Sequence, residues 1–429
     1  MVAEPPSDGL LVGDLEGAVA VVDDHGRVVA LDGTWSLEWG VGADDRWHVA
    51  HDEVAVRQRR LDDAPVPSTA MRVPGGDIVQ RVAVVSDGRG RSLVVEIENG
   101  SAAAVAAALV VLAGGVIDVD DTGLRGGGVA VSADRPLGGA VAAVDDPWAA
   151  AFVGPNVGTH QVDASATGGG ALVVPLPHRQ QVRFTVKLDG ASPSVPTAAE
   201  TVASGWRTVT AGAAVIETPD AALDEAWRRV VPDLVVAAGH PDPRVAAEVA
   251  WALDQAGLPD EADRARGTVV LQAEAGALEG DDAVAALLAL ASRDLRAAQP
   301  SGLVDLAGPL AERAGDRLTA DVLRVVALAL DAHAPAAADD ARRLAGDARS
   351  GWPSIVSRAA GGAATVLRAV VGPIEVGGLV LFPSLPDGWL GGQVDVRGLG
   401  THVGQISASV RWHGERPALL WQRDGGPDA

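Results

Sequence analysis

The 429-residue sequence predicts a multidomain α and β protein with an N-terminal antiparallel β-sandwich, central α-helical hairpins and a small C-terminal antiparallel β-domain. Three observations support this fold class. Apolar and polar residues alternate between Gly- and Asp-rich turns up to about Trp206. The apolar period becomes that of a helix from Glu217, and strand-like runs return after Thr365. We place the three domains at residues 1–206, 207–364 and 365–429.

The N-terminal strands are predicted from alternating runs that end at turns. "GAVAVVDDHGRVVALDG" (17–33) carries two apolar runs around an Asp-Asp-His-Gly turn, which is typical of a hairpin. "QRVAVVSDGRGRSLVVEIENG" (80–100) repeats the pattern. Many short strands at this spacing indicate a large antiparallel sandwich.

Seven helices are predicted in the central segment, joined by short loops. In the first, Thr218 is the expected N-cap, Pro219 the first helical residue and Gly239 the C-cap. The other six are expected at 243–256, 259–275, 281–298, 304–314, 319–333 and 335–344. Short connections between amphipathic helices favour antiparallel hairpins, arranged in a layer or a toroid.

The C-terminal segment is expected to hold one helix from Thr365 and then four antiparallel strands, "VGGLVLFPSL", "QVDVRGL", "QISASVRWHG" and "PALLWQRD". The stretch "LFPSLPDGWLGG" (381–392) joins the first two strands. Pro383 and Pro386 block further pairing there, and Trp389 is expected to pack onto the neighbouring layer.

Composition excludes several classes of function. The formal net charge of −23 disfavours nucleic acid and anionic membranes as partners. The chain has no cysteine, which removes thiolate metal sites, its nine histidines are scattered, and the aspartates at 118–121 lack the spacing and closing glutamate of a calcium loop. It also has no phosphate-binding or dinucleotide-binding motif, so no cofactor and no metal site are expected. The N-terminal residues carry no secretory pattern, and the longest apolar stretch (102–116) is too short to span a membrane. We therefore expect a cytoplasmic protein.

The order of the three parts, together with Leu379–Pro386, Trp389, Gly391–Gly392 and "VRGL" (396–399), resembles the six-hairpin glycosidase superfamily, whose catalytic part is an (α/α)6 toroid. The Arg- and Ala-rich composition is similar to that of large actinobacterial proteins of this architecture. The central segment supplies too few helices to close such a toroid, so the resemblance implies a partial one.

Glu279 and Asp281 are the catalytic candidates that the resemblance implies, because they fall where the superfamily carries carboxylates before an inner helix. Inverting hydrolysis of a glycosidic bond needs one carboxyl group as acid and another as base. The tryptophan expected between them is replaced here by Gly280. The alternative is that Asp281 and Asp282 are only the acidic start of a helix.

Sugar rings stack on aromatic faces, so five tryptophans are candidates for binding a saccharide, and Glu248 joins them because it lies one turn from Trp251. The six residues are Trp35, Trp39, Trp47, Glu248, Trp251 and Trp352. The first three cluster in one strand-like segment, and their alternative is a place in the sandwich core. Glu248 and Trp251 share a helix face by their spacing, with a solvated acid beside a core tryptophan as the alternative.

The segment after the central helices carries Trp352-Pro353, with Ser354 where related toroids have a glutamate. A serine cannot serve as a general base at neutral pH. The alternative for Trp352-Pro353 is a rigid loop that joins the helices to the last domain.

Three functions follow from these candidates. The first is a degenerate, non-catalytic glycosidase-like protein that keeps weak saccharide binding. The second is an active inverting glycoside hydrolase with Glu279 or Asp281 as its acid, and the third is a non-enzymatic interaction or assembly scaffold. A partial toroid leaves apolar helix faces uncovered, so a homo-oligomer is also expected.

Overall fold

The computed structural model describes residues 4, 6, 8–87, 89–143, 148, 166–189, 197–295, 302–371, 379–383 and 386–425. The chain forms two compact units. The first comprises Met1–Asp14 and Ala18–Thr208, and the second comprises Leu15–Gly17 and Val209–Ala429. The three-way division at residues 206 and 364 stays a prediction.

The first unit is an antiparallel β domain, as predicted. Its 15 described strands form one hydrogen-bonded sheet, in which β1 and β6 lie at the two ends of the main strand order. The strands are β1 (Leu10–Asp14), β2 (Gly17–Val22), β3 (Val28–Ala30), β4 (Trp35–Gly42), β5 (Trp47–Val49), β6 (Val56–Arg60), β7 (Pro67–Val73), β8 (Gly76–Ser86), β9 (Arg91–Asn99), β10 (Val105–Val119), β11 (Gly123–Gly126), β12 (Val129–Ala133), β13 (Gly139–Ala143), β14 (Ala166–Leu176) and β15 (Gln181–Lys187).

The two ends of this sheet fold over one apolar core to which strands from both ends contribute. Gln80 on β8 donates a 3.0 Å hydrogen bond to the Gly26 carbonyl in the β2–β3 turn, although these strands lie far apart in the strand order. Trp39 on β4 donates to the His25 carbonyl of the same turn at 3.0 Å. Gly26 has a φ of 84°, and a Cβ there would collide with Gln80 and Trp39. The turn is therefore held between two facing layers.

The first unit ends with helix α1 (Ala199–Val209), in a segment expected to be strand-like up to about Trp206. That expectation is wrong for these residues. Ala199, Ala203 and Trp206 are buried at positions i, i+4 and i+7, which is the spacing of a helix and not of a strand.

The second unit contains eight described helices in two rows. They are α2 (Ala221–Ala237), α3 (Pro243–Gln255), α4 (Pro259–Glu274), α5 (Gly280–Asp294), α6 (Leu303–Ala314), α7 (Ala320–Leu330), α8 (Pro335–Asp347) and α9 (Arg358–Val370). Helices α3, α5 and α7 pack against one another in an inner row, and α4, α6 and α8 each pack on the inner helix that precedes them. The inner helices are buried on nearly all sides, whereas the outer ones keep a polar exposed face. The predicted helical hairpins are confirmed.

Two helix starts differ from the sequence prediction. Helix α2 begins at Ala221 and not at Pro219, because the Asp220 side chain caps it by accepting from the amides of Ala222 and Leu223. Helix α9 begins at Arg358 and not near Thr365.

None of the helices in the described part of the chain has the length and apolar character that crossing a membrane requires.

The second unit also carries an antiparallel sheet of four strands in the order β16 (Val215–Glu217), β17 (Val394–Thr401), β18 (Gly404–His413) and β19 (Arg416–Asp424). The last three are the predicted ones. The predicted strand at 376–385 lies partly outside the described residues, and its described part makes only an isolated bridge between Leu381 and Val371. The fourth strand is instead β16, which precedes the helices. Trp389 is buried against this sheet, as expected.

Asp395 ties β17 to β18. Its carboxylate accepts hydrogen bonds from Ser409 at 2.6 Å, Gln393 at 2.5 Å and Arg411 at 2.9 Å. Burial alone would raise the pKa of Asp395, but these three donors outweigh it and lower the pKa to about 2. Because the pKa in the folded chain lies below the ordinary value of 3.8, the charged group stabilises the fold above about pH 4, and that contribution is lost as the pH falls towards 2.

We expect Asp395→Asn to lower the free energy of unfolding by about 2 kcal/mol at pH 7, with the difference from the parent chain shrinking between pH 4 and pH 2. Urea unfolding followed by tryptophan fluorescence over this pH range measures it. Asp316→Asn, at an exposed turn, is the control and should change little. A difference for Asp395→Asn that stays constant with pH would contradict the assignment.

Candidate functional site

The second unit contains a cavity of about 320 Å³ on the inner side of its helices. Helices α3, α5, α7 and α9, the segment between α8 and α9, and the turn between β17 and β18 form its walls. Its polar lining residues are Arg244, Glu248, Asp254, Gln255, Asp281, Ser292, Ser354, Arg368, Thr401 and His402. Its apolar lining includes Trp251, Trp352, Leu288, Ile355 and Leu367.

Helical periodicity explains how α3 and α5 present these side chains. On α3 the lining positions are 244, 247, 248, 251, 254 and 255, and on α5 they are 281, 285, 288 and 292. Steps of three and four residues return to the same helix face, so each helix directs one stripe into the cavity. The predicted shared face of Glu248 and Trp251 is confirmed.

Glu248 holds the α8–α9 segment against α3. Its carboxylate is only 7% exposed and accepts hydrogen bonds from the Val356 amide at 3.0 and 3.1 Å and from the Ser357 amide at 2.7 Å. Arg244, one turn earlier on α3, contributes a further contact at 3.3 Å. Ser357 is also the N-cap of α9, with its hydroxyl accepting from the Ala360 amide. The Glu248 oxygens are therefore engaged in positioning the chain.

Arg244 connects three walls of the cavity. Besides Glu248, its guanidinium donates to the Ser354 carbonyl at 3.0 Å and lies 3.3 Å from the Ser354 hydroxyl. Its other terminal nitrogen is 3.5 Å from a carboxylate oxygen of Asp281 on α5. The planar fork of an arginine suits such a bridge, which a lysine could not make with the same geometry.

Asp254 is the third acid at the cavity wall, and it is 1% exposed. Arg266 on α4 pairs with it, and the Ser292 hydroxyl donates to it at 2.5 Å. Arg266 also donates to the Ala289 carbonyl at 2.9 Å. These contacts join α3, α4 and α5 below the cavity and compensate the burial of the charge.

The two catalytic candidates lie in different places. Asp281 lines the cavity from the first turn of α5, and its side chain is 39% exposed. Glu279 occupies the N-cap position of α5 without capping it through its side chain, is exposed, and is not among the residues that line the cavity. Gly280 between them has a φ of 54°, a backbone conformation that glycine adopts without strain.

The tryptophan candidates also separate. Trp251 and Trp352 line the cavity together, and Trp352 is one-third exposed. Trp35 and Trp39 share a strand face as predicted, but that face is the sandwich core, where Trp39 is 1% exposed. Trp47 packs partly buried on a second apolar cluster of the first unit. The buried rings of Trp35 and Trp39 present no face to a ligand, whereas a role for Trp47 in binding stays a prediction.

Seven polar lining residues were not foreseen from the sequence: Arg244, Asp254, Gln255, Ser292, Arg368, Thr401 and His402. Arg244 follows Pro243 at a helix start and Arg368 lies near a helix end, positions where an arginine is ordinarily solvated. Thr401 ends β17 and His402 begins the β17–β18 turn, which only the tertiary fold brings to the cavity. Arg244 could have been recognised in the sequence because it lies four residues before Glu248, a spacing that places both side chains on one face of a helix.

The cavity offers no three-ligand metal cluster among the described residues. The one group that the described chain offers is Asp23, Asp24 and His25, in the β2–β3 turn of the first unit. Asp23 there accepts the backbone amides of His25 and Arg27, both at 2.9 Å, so its carboxylate already closes the turn.

No protein-family model matches the chain, and no curated protein matches it. Solved structures that the chain is similar to include a bacterial glucoamylase complexed with acarbose, at 11% identity and a TM-score of 0.49, covering 81% of this chain and 68% of the glucoamylase. A glycosyl hydrolase of family GH92 is 12% identical over 80% of this chain and 61% of its own, with a TM-score of 0.40. A GH92 α-mannosidase from Bacteroides thetaiotaomicron is 9% identical over 73% and 55%, with a TM-score of 0.33.

We expect Glu248→Gln to lower the free energy of unfolding by about 2–4 kcal/mol. The amide cannot accept from both backbone N–H groups and Arg244 at once, and it leaves the guanidinium without its buried partner. Chemical denaturation gives the change, and hydrogen exchange should show faster exchange at the amides of Val356 and Ser357.

The matched control is Glu225→Gln on α2, which breaks another Glu–Arg pair at i, i+4, with Arg229, but at an exposed site. Its cost should stay below about 0.5 kcal/mol. If both substitutions lowered the free energy of unfolding equally, the burial of Glu248 would contribute nothing to stability.

Proposed function

We propose that the second unit binds a small saccharide in the cavity and does not hydrolyse it. The lining combines two tryptophans, Trp251 and Trp352, with charged and hydroxyl groups that can hydrogen-bond sugar hydroxyls. Apolar rings beside a few convergent polar groups are the usual composition of a small-ligand site. The volume of about 320 Å³ lies at the low end of the range for such sites, which favours a short saccharide.

The proposal that the sugar is not hydrolysed rests on the hydrogen bonds and ion pairs that the cavity carboxylates already make. Glycoside hydrolysis requires two carboxyl groups on either side of the scissile bond, one of them free to protonate the leaving oxygen. Of the three described acids at the cavity, Glu248 is occupied by two backbone amides and Arg244, and Asp254 is buried against Arg266. Asp281 alone of the three is well exposed to the cavity. One exposed acid supports binding rather than acid–base chemistry.

Asp281 and Arg244 form the polar end of the proposed site. Their contact of 3.5 Å is longer than a tight ion pair, and both side chains line the cavity. The carboxylate can accept from sugar hydroxyls and the guanidinium can donate to them. Trp352 would supply the stacking surface, because it is the more exposed of the two cavity tryptophans.

Binding is tested on a glycan array with the purified full chain, followed by calorimetric titration of the sugars that bind. We expect Trp352→Ala to weaken binding about tenfold, since one stacked ring contributes roughly 1.4 kcal/mol. The control is Trp421→Ala, which removes an exposed tryptophan of β19 outside the cavity and should leave affinity unchanged.

Hydrolysis is tested in parallel by chromatography of the same sugars after long incubation, and we expect no cleavage products. Absence of binding to every sugar on the array would overturn the proposal. Release of reducing sugar that Asp281→Asn abolishes would also overturn it, and would favour an active hydrolase.

A further inference from the structure

Strand β19 forms an outer edge of the C-terminal sheet. In the described chain it pairs only with β18, so the backbone groups on its other side meet no strand. Open edges of this kind are templates for pairing with another strand. Leu419, Leu420 and Trp421 in the middle of β19 are 49%, 61% and 65% exposed.

One face of the C-terminal sheet is apolar on both β18 and β19, but it is buried on β18 and exposed on β19. Val410 and Ala408 on β18 are both 4% exposed, and they lie directly opposite Leu419 and Trp421. Residues opposite each other in a sheet share a face. Leu419 and Trp421 therefore belong to the core-facing side of the sheet but remain 49% and 65% exposed.

The β18–β19 hairpin determines which backbone groups point outward. The strands are joined by a two-residue turn, in which Gly414 has the positive φ of 67° that suits such a hairpin. The pair that closes a two-residue hairpin is hydrogen-bonded, so Arg416 and alternate residues after it face β18. Pro417, Leu419 and Trp421 then direct their backbone groups outward, and Pro417, which has no N–H, can accept a ladder hydrogen bond there but cannot donate one.

We propose that β19 pairs antiparallel with β19 of a second copy of this chain, across a two-fold axis at Leu420. The two four-stranded sheets would then become one of eight strands. Leu420 would lie opposite Leu420 of the second copy, and Leu419 opposite Trp421 of the second copy, so that each uncovered apolar residue gains a neighbour. A symmetric contact of this kind is self-complementary.

Charge selects both the direction and the register of this pairing. Arg416 and Asp424 are the first and last residues of β19 and carry opposite charges. Antiparallel pairing centred on Leu420 places each Arg416 opposite an Asp424, and it does so twice. Parallel pairing would place like charges together, and antiparallel pairing centred on Leu419 would place Arg416 opposite Gln422.

The absence of cysteine makes a register-specific test simple. The backbone N–H and C=O of Leu420 point towards β18. Leu420 would therefore form a non-hydrogen-bonded pair with Leu420 of the second copy, with the two Cα atoms about 4.5 Å apart. That separation is within the disulfide range of roughly 4.4–6.8 Å. We therefore expect Leu420→Cys to give a covalent dimer on mild oxidation, detected on a non-reducing gel.

Gln422→Cys is the matched control, because it is exposed on the same face of the same strand. In the proposed register it lies opposite Ala418, and the two introduced thiols are four residues apart, about 13 Å at 3.3 Å per residue. It should remain uncrosslinked under identical oxidation. Circular dichroism of both variants checks that each is folded.

Sedimentation of the unmodified chain gives an independent measurement, in which we expect a dimer that Leu420→Glu converts to a monomer by placing like charges together. A monomer at all concentrations would overturn the proposal. So would a dimer that Leu420→Glu leaves intact, or equal crosslinking of the two cysteine variants.

Discussion

The second unit depends on the buried carboxylate of Glu248. A charge taken out of water must be fully partnered, or it destabilises the fold by several kcal/mol. Here the partners are the backbone amides of Val356 and Ser357 and the guanidinium of Arg244. By accepting from these amides, Glu248 fixes the segment that carries Trp352 and the residue that caps α9. One wall of the cavity is therefore positioned by a single side chain of α3.

This use of the acid limits the chemistry of the cavity. A carboxylate whose oxygens accept several hydrogen bonds within the protein is poorly placed to exchange a proton with a substrate. Asp254 is committed in the same way, to Arg266 and Ser292. The cavity consequently combines a rigid polar and aromatic lining with only one well-exposed acid among its described residues, Asp281. Those properties support the proposal that the cavity binds a ligand without cleaving it.

Periodicity made most of this fold predictable, because long amphipathic helices and alternating strands bury a regular face. It failed for α1, which follows a long strand-like region although its buried residues Ala199, Ala203 and Trp206 have helical spacing, and for the start of α9, whose first half is rich in Ala and Gly. It also failed for β16, three residues that become a strand only by pairing with β17. Within the site, Glu248 and Asp281 were foreseen, whereas Arg244 was not, because its role depends on a loop distant in sequence.

The most direct measurement is a crystal structure of the chain soaked with a short saccharide identified by binding. The account predicts an intact sugar in the cavity, with one ring stacked on Trp352 and hydroxyls bonded to Asp281 and Arg244, while Glu248 keeps its bonds to the backbone amides. A cleaved sugar with Glu248 turned towards it would contradict the account. So would a sugar bound elsewhere while the cavity stays empty.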